Sequence, residues 1–228
     1  MSTPVAVTRD GNVAIVVFDN PPVNALSHPV RAAFLAAIEQ LDAEAGIRAI
    51  VLVGAGRNFI AGADVGEFDR PPLEPLLPGV LSRLESCGKP VIAALTGATL
   101  GGGAETALAS HYRCAAGDLQ LGFPEVTLGL LPGAGGTVRL PRLAGWQASV
   151  EMMTTGKPVG IEAAIELGIV DRRVDGDLRA GAVAWARELI AASIPPRRVA
   201  DLPVPPSRPL QFEEHLRGLS PAARRLPA

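Results

Sequence analysis

Lysine is nearly missing from this chain. Lys89 and Lys157 are the two in 228 residues, and the remaining positive charge is carried by arginines scattered along the sequence. With no basic run and a formal net charge of −2, an electrostatic nucleic-acid surface is not expected. Cysteine is equally scarce: Cys87 and Cys114 are lone thiols without metal-ligand spacing, which suits a reducing compartment. No leader with a charged start and an apolar centre is visible, and no run of about 18 apolar residues could span a membrane. A cytoplasmic protein without a membrane partner is therefore expected.

Several site signatures are missing too. No segment reads Gly-x-Gly-x-x-Gly, none reads Gly-x-x-x-x-Gly-Lys-Ser/Thr, and no serine has glycines two residues to either side. These absences remove the dinucleotide fingerprint, the phosphate loop and the nucleophile elbow. His28, His111 and His215 are too widely separated to form a ligand cluster and are better read as structural. No metal site is expected. Carboxylates and backbone donors are what remain.

What the chain does have is glycine (25), proline (21) and 48% apolar residues, the composition of a turn-rich globular protein large enough to bury a full core. Val5–Val7 and Val13–Phe18 flank Asp10-Gly11-Asn12 and read as an opening hairpin. After the loop 20–26, Ser27 is a candidate helix cap, with Pro29 in the first turn and Val30, Phe34, Ala37, Ile38 and Leu41 at helical spacing. Ile47–Val53 and Pro90–Leu95 are continuous apolar runs, hence strands buried on both faces. A helix is expected around Val80–Ser86, short strands at Tyr112–Ala116 and Leu119–Phe123, and helices near 136–143, 146–155, 161–167 and 180–192, with a strand near 169–174. Strands alternating with helices imply parallel pairing in an α/β layer. Six prolines between Pro195 and Pro209 read as a linker, followed by a short helix over Leu210–Leu219 and the basic pair Arg224-Arg225. The domain reading is a catalytic domain over 1–195 and a proline-rich linker with a helical tail over 196–228, short enough to suggest truncation.

One stretch organises the rest. Thr96-Gly-Ala-Thr-Leu-Gly-Gly-Gly-Ala-Glu105 sets three glycines where a strand ends and a helix begins. Free N–H groups at a helix start suit a site where negative charge develops, and Glu105 would stand beside them. The same residues are equally a tight turn with a first-turn acid. Glu125 is a second candidate, placed after a strand and before a glycine-rich loop. Taken singly, each glutamate is better read as a surface or capping residue; as a pair, one protonated and one ionised, they could do acid–base work.

Phe59-Ile-Ala-Gly-Ala-Asp-Val-Gly-Glu-Phe68, Gly97-Ala-Thr-Leu-Gly-Gly-Gly-Ala-Glu105 and Phe123-Pro-Glu-Val-Thr-Leu-Gly-Leu-Leu-Pro-Gly-Ala-Gly-Gly136 together resemble the crotonase family of enoyl-CoA hydratases and isomerases, over roughly residues 5–195. Asn20-Pro-Pro-Val-Asn-Ala25 and His111-Tyr-Arg113 make the chain more similar to the hydratase portion of bifunctional enzymes that also carry a 3-hydroxyacyl-CoA dehydrogenase. The resemblance implies an α/β spiral of ββα units, with helices around two nearly perpendicular sheets. It implies Glu105 and Glu125 as catalytic residues and the Ala63 and Gly102 N–H groups as an oxyanion hole. It implies substrate contacts at Ala25, Leu26, Ala61, Asp64, Val65, Gly66, Gly101, Pro124, Pro132 and Gly133. The substrate would be an acyl-CoA thioester, with coenzyme A entering as part of it and no separate cofactor. The two glutamates favour hydration of a 2-trans-enoyl-CoA, since members specialised for isomerisation often keep one. An isomerase, another acyl-CoA enzyme or an inactive CoA-binding module remain alternatives. A homo-oligomer, trimer or hexamer, is compatible with the resemblance, as is a monomer.

Overall fold

The computed structural model describes residues 3–67 and 69–206. His215, the Leu210–Leu219 helix and Arg224-Arg225 lie outside the described residues.

The chain opens with β1 (Val5–Asp10) and β2 (Val13–Phe18), antiparallel and joined by the two-residue turn Gly11-Asn12. α1 (His28–Ala43) follows, then β3 (Ala49–Gly54), α2 (Leu77–Glu85), β4 (Val91–Leu95), β5 (Ala98–Leu100) and α3 (Gly102–Ala109). The remainder is β6 (Tyr112–Ala115), β7 (Gln120–Gly122), α4 (Gly136–Thr155), α5 (Ile161–Glu166), β8 (Arg172–Arg173) and α6 (Leu178–Ala191). Six strands form one sheet in the order β1-β2-β3-β4-β6-β8, parallel from β2 onward; β5 and β7 pair in parallel in a second sheet.

Side-chain alternation sorts the main sheet's residues into two cores. Ala14, Val16, Phe18, Ile50, Leu52, Ala93 and Leu95 join the cluster built with α1, α2 and α3. Val13, Ile15, Val51, Val53, Ile92, Ala94 and Cys114 join Ala182, Val183, Trp185 and Ala186 of α6. Both faces are covered, so the strands read as unbroken apolar runs. α1 buries Val30, Phe34, Ala37, Ile38 and Leu41 as its spacing predicts, and each large side chain there contributes about 1.5–3 kcal/mol.

The second layer is where the architecture departs from a plain alternation of strands and helices. After β4 the chain turns at Gly97, whose φ of +53° needs glycine, and runs into β5 instead of passing straight into a helix. The same detour recurs after β3, where Ile60 bridges Thr99, and after β6, where β7 pairs with β5. Each turn of the chain thus gives one strand to the main sheet, one extended segment to the second layer and one helix, which is the ββα spiral. α3 is buried along its entire length and is accordingly made of small and apolar residues around Glu105 and Thr106.

Other expectations need correction. Ser27 stands at the helix start but its side chain makes no cap; the His28 N–H donates to Glu67 Oε1 at 2.6 Å, a carboxylate favoured there by the helix dipole. α2 begins at Leu77, earlier than Val80, because Pro78 is admitted in a first turn. β8 is two residues long, and α4 carries a break at Gly145 between its two helical stretches. Residues 195–202, read as linker, pack on the body: the Tyr112 hydroxyl donates to the Pro195 carbonyl at 2.7 Å, Val199 is fully buried, and the Ala200 N–H donates to Glu85 Oε1 at 2.9 Å.

A buried cation and a buried neutral base hold the centre. Arg113, with no exposed surface, donates to the carbonyls of Ile169 and Ser110 and to Asp171 Oδ2, tying the end of α3 to the approach of β8. His111 accepts the Val91 N–H at Nδ1 (3.0 Å) and its Nε2 lies 3.1 Å from the Glu85 carbonyl, which assigns the neutral ring with the proton on Nε2. Burial pushes His111 below its ordinary value. A second proton would have to displace the Val91 bond. The unfolded chain accepts that proton near pH 6.5, so the stability His111 contributes is present above that pH and lost as pH falls through the lower folded value. Urea midpoints should therefore drop between pH 7.5 and 5.5, with a shallower drop in His111→Asn, whose Oδ1 can still accept from Val91.

Candidate active site

The glycine triplet meets the segment 60–63 at close quarters. A Cβ on Gly103 would sit 2.0 Å from the Ile60 carbonyl oxygen, so only glycine lets α3 start here. A Cβ on Gly102 would stand 3.7 Å from the Ala63 nitrogen, 3.3 Å from Leu26 Cδ1 and 2.9 Å from Leu77 Cδ2. Gly102 is the first residue of α3 and has no helical acceptor for its N–H. The bridge between Leu26 and Ala63 uses the Leu26 N–H and the Gly62 carbonyl, at 2.9 Å, leaving the Ala63 N–H out of the ladder. Two backbone donors thus lie side by side with an apolar wall of Leu26 and Leu77.

A cavity of about 440 Å³ opens beside them, lined by Ala63, Asp64, Arg31, Glu67, Leu73 and Leu77 among others. Its wall is clasped by Arg31, which donates to Glu67 Oε2 at 2.7 Å and to the Leu26 and Pro75 carbonyls at 2.9 and 3.0 Å. Asn24 fastens the same edge, donating to the carbonyls of Ala55, Asn58 and Phe59.

Glu105 is 3% exposed, and its Oε1 accepts the N–H groups of Ala134 (2.7 Å) and Gly136 (2.8 Å). Burial pushes its carboxyl up, those two bonds oppose the rise, and the charge of Glu125 adds to it. Glu125 sits in the 3-10 turn Pro124–Leu128. Burial pushes it up too, and its Oε2 is buried without a hydrogen-bond partner among the described residues. A buried polar atom without a partner marks a place for a ligand or water group. Gly101, at φ +50° and ψ −120°, brings the backbone against this carboxylate: a Cβ there would lie 3.0 Å from Glu125 Oε1. The thiols offer no alternative nucleophile, since burial pushes Cys87 up to about 11 and Cys114 up to about 12.

Most of the residues singled out in the sequence come together here. Ala63, Gly102 and Leu26 form one corner; Gly101, Pro124 and Glu125 a second; Pro132, beside Gly136 and Glu105, a third. Asp64 lines the cavity, and its Oδ1 accepts the Gly66 N–H at 2.9 Å. Ala25 and Ala61 brace the loop, the Ala25 carbonyl accepting from Asn20 and the Ala61 N–H donating to the Val23 carbonyl. Val65 is 64% exposed, and Gly66 and Gly133 are exposed as well, outside the cavity lining. Arg31, Glu67, Glu85 and Arg139 were not singled out. Their partners lie 36 and 54 residues apart, and no local pattern announces such a pair.

The sequence profile described as enoyl-CoA hydratase/isomerase matches residues 8–201. The chain belongs to the enoyl-CoA hydratase/isomerase family. It is 42% identical over 204 residues to the peroxisomal bifunctional enzyme of Danio rerio, covering 89% of this chain and 28% of that protein. It is 41% identical over 173 residues to a Bacillus subtilis protein named "Probable enoyl-CoA hydratase", covering 73% of this chain and 67% of that one. The crystal structure of an enoyl-CoA hydratase from Bacillus anthracis superposes with a TM-score of 0.77 at 34% identity, over 83% of this chain and 77% of that one. The chain therefore spans little more than a quarter of the bifunctional relative's length.

Within this family member, Gly101 separates two kinds of glycine requirement. Gly101→Ala combines a backbone angle costly for alanine, of order 1–3 kcal/mol, with a clash on Glu125. Gly129 also has positive φ (+71°) but open space around a Cβ. Urea denaturation should show Gly101→Ala losing clearly more stability than Gly129→Ala; equal losses would mean that the contact with Glu125 is not tight.

Proposed function

We propose that the chain is an enoyl-CoA hydratase that adds water across the C2–C3 double bond of a 2-trans-enoyl-CoA to give the 3-hydroxyacyl-CoA. The observation that carries this reading is the buried Glu105 and the half-buried Glu125 at the same end of the second layer as the neighbouring backbone nitrogens of Ala63 and Gly102. The thioester oxygen would accept those two N–H bonds. As hydroxide adds at C3, the electron pair of the double bond moves toward that oxygen, giving an enolate that fixed donors stabilise without reorganising. Glu105 takes the water proton and Glu125 supplies a proton to C2, so one water is consumed and no redox partner is needed. The division of labour follows the environments: burial raises both carboxyls, but two backbone N–H bonds oppose the rise at Glu105, whereas Glu125 Oε2 meets no donor among the described residues. The two carboxyls titrate as a coupled pair.

Coenzyme A enters with the substrate, and no separate cofactor has a part in this reading. A cytoplasmic setting stays part of the proposal, supported by the free thiols Cys87 and Cys114; among the described residues no helix is long and apolar enough to cross a membrane. Leu128, Leu130, Leu131 and Val138 are 45–72% exposed beside the site, which supports association into a trimer or hexamer. Sedimentation equilibrium should find that assembly; a fully active monomer would remove this part of the reading.

Loss of the enoyl absorbance of crotonyl-CoA on adding the protein tests the reaction. Glu105→Gln and Glu125→Gln should each lower kcat by about 10²–10⁴-fold with acyl-CoA binding retained. A folded wild type that binds acyl-CoA and leaves the enoyl group untouched would overturn the hydratase reading.

A further inference from the structure

Behind Glu105 lies a buried ion pair that the hydration step does not use. Arg139, 6% exposed on α4, donates through Nε and Nη2 to Glu85 Oε1 (3.2 Å) and Oε2 (2.8 Å). Its third bond, from Nη1, goes to the Ala134 carbonyl at 3.0 Å. The N–H of that same residue, Ala134, donates to Glu105 Oε1, as does the N–H of Gly136 one residue further along. Gly135, between them, is pressed so close that a Cβ would meet Arg139 Nη1 at 2.1 Å. Glu85, 4% exposed, is closed from the other side by the Ala200 N–H.

A buried ion pair is weak evidence for stability, since well-packed apolar residues of similar volume often serve as well or better. An apolar residue at 139 would, however, leave the Ala134 carbonyl without its donor and free the loop 134–136 to rotate. With both N–H groups on Oε1, the Glu105 carboxylate keeps one orientation.

We propose that Arg139 is the positioning residue for Glu105. Through the Ala134 carbonyl it fixes the loop whose two N–H groups hold the carboxylate, and Glu85 with the 199–201 turn locks the guanidinium fork. The inference rests on the hydratase reading for its kinetic consequence and on geometry alone for its effect on Glu105. The charged groups facing Glu105 are Glu125 from the 3-10 turn and Arg139 from α4. Around Arg139 stand Glu85 from α2, with Arg198 facing that carboxylate, and the neutral His111 ring on the Glu85 carbonyl.

The test follows the Glu105 carboxyl by ¹³C NMR in protein labelled at glutamate side chains, the resonance being assigned with Glu105→Gln. Arg139→Gln removes the cation and slackens the loop, so the Glu105 midpoint should rise by about one pH unit and kcat should fall about 100-fold with KM little changed. Arg139→Lys returns the charge without the fork, so the midpoint should move back while kcat stays low. Glu85→Gln leaves the guanidinium uncompensated and should lower the midpoint. Should Arg139→Gln fail to fold, Glu85→Gln/Arg139→Gln removes both charges together and carries the same expectation of a raised midpoint. A Glu105 midpoint unmoved in folded Arg139→Gln overturns the proposal, as does kcat within twofold of wild type in that variant. If the wild type does not hydrate crotonyl-CoA, the hydratase reading fails, while the NMR midpoints still decide whether Arg139 holds Glu105.

Discussion

The structure depends on how closely the start of α3 approaches the segment Ile60–Ala63. At Gly103, against the Ile60 carbonyl, nothing bulkier than a hydrogen can stand between the two backbones, and Gly102 lies beside the Ala63 nitrogen. α3 is buried along its whole length, and the donors at its first turn lie beside Ala63 and the cavity it lines. Buried backbone donors need acceptors. On the reading proposed above, a helix start placed in this way would be complementary to an oxyanion, so packing and chemistry would be consequences of one contact.

The scarcity of lysine has a counterpart inside the molecule. Among the described residues the buried cations are Arg31, Arg113 and Arg139, and each spends its fork on several acceptors at once: Arg31 on Leu26, Pro75 and Glu67, Arg113 on Ile169, Ser110 and Asp171, Arg139 on Ala134 and Glu85. A planar guanidinium offers five donors in fixed directions, where an ammonium is a strongly hydrated point charge. Each of these arginines joins a carboxylate to carbonyls from another part of the chain. Desolvation of the charge is offset only because all these bonds form together. Two of these clasps border the site: Arg31 holds Leu26, Glu67 and Pro75, and Arg139 holds Ala134.

Much of this was legible locally. The hairpin, the buried face of α1, the doubly covered strands and α6 follow from periodicity and turn residues, and the two glutamates with their glycine loops are visible as residues next to one another in sequence. What was not legible depends on distance along the chain. β5 is three residues long, too short to carry a periodic signal, so its departure into a second sheet cannot be read from Ala98–Leu100. Ser27 has the right chemistry for a cap, yet a carboxylate 39 residues away takes the N–H. The prolines of 195–206 look like a linker because composition says nothing of Val199 filling a core or of Ala200 quenching Glu85.

The second sheet explains why two glutamates 20 residues apart become a pair. In the parallel register Leu100 lies opposite Gly122, so the chain leaves both strands at the same end of the layer. Gly101 holds that junction, its N–H donating to the Gly122 carbonyl at 2.9 Å. From there one chain enters α3 and carries Glu105 in its first turn, under the N–H groups of the 134–136 loop. The other enters a 3-10 turn and carries Glu125, whose Oε2 meets no donor among the described residues. The same exit thus delivers both carboxyls to environments whose burial raises them, with two backbone N–H bonds opposing the rise at Glu105 alone. The two carboxyls differ by the structure that follows each strand, and the parallel pairing of two three-residue strands is what makes them neighbours.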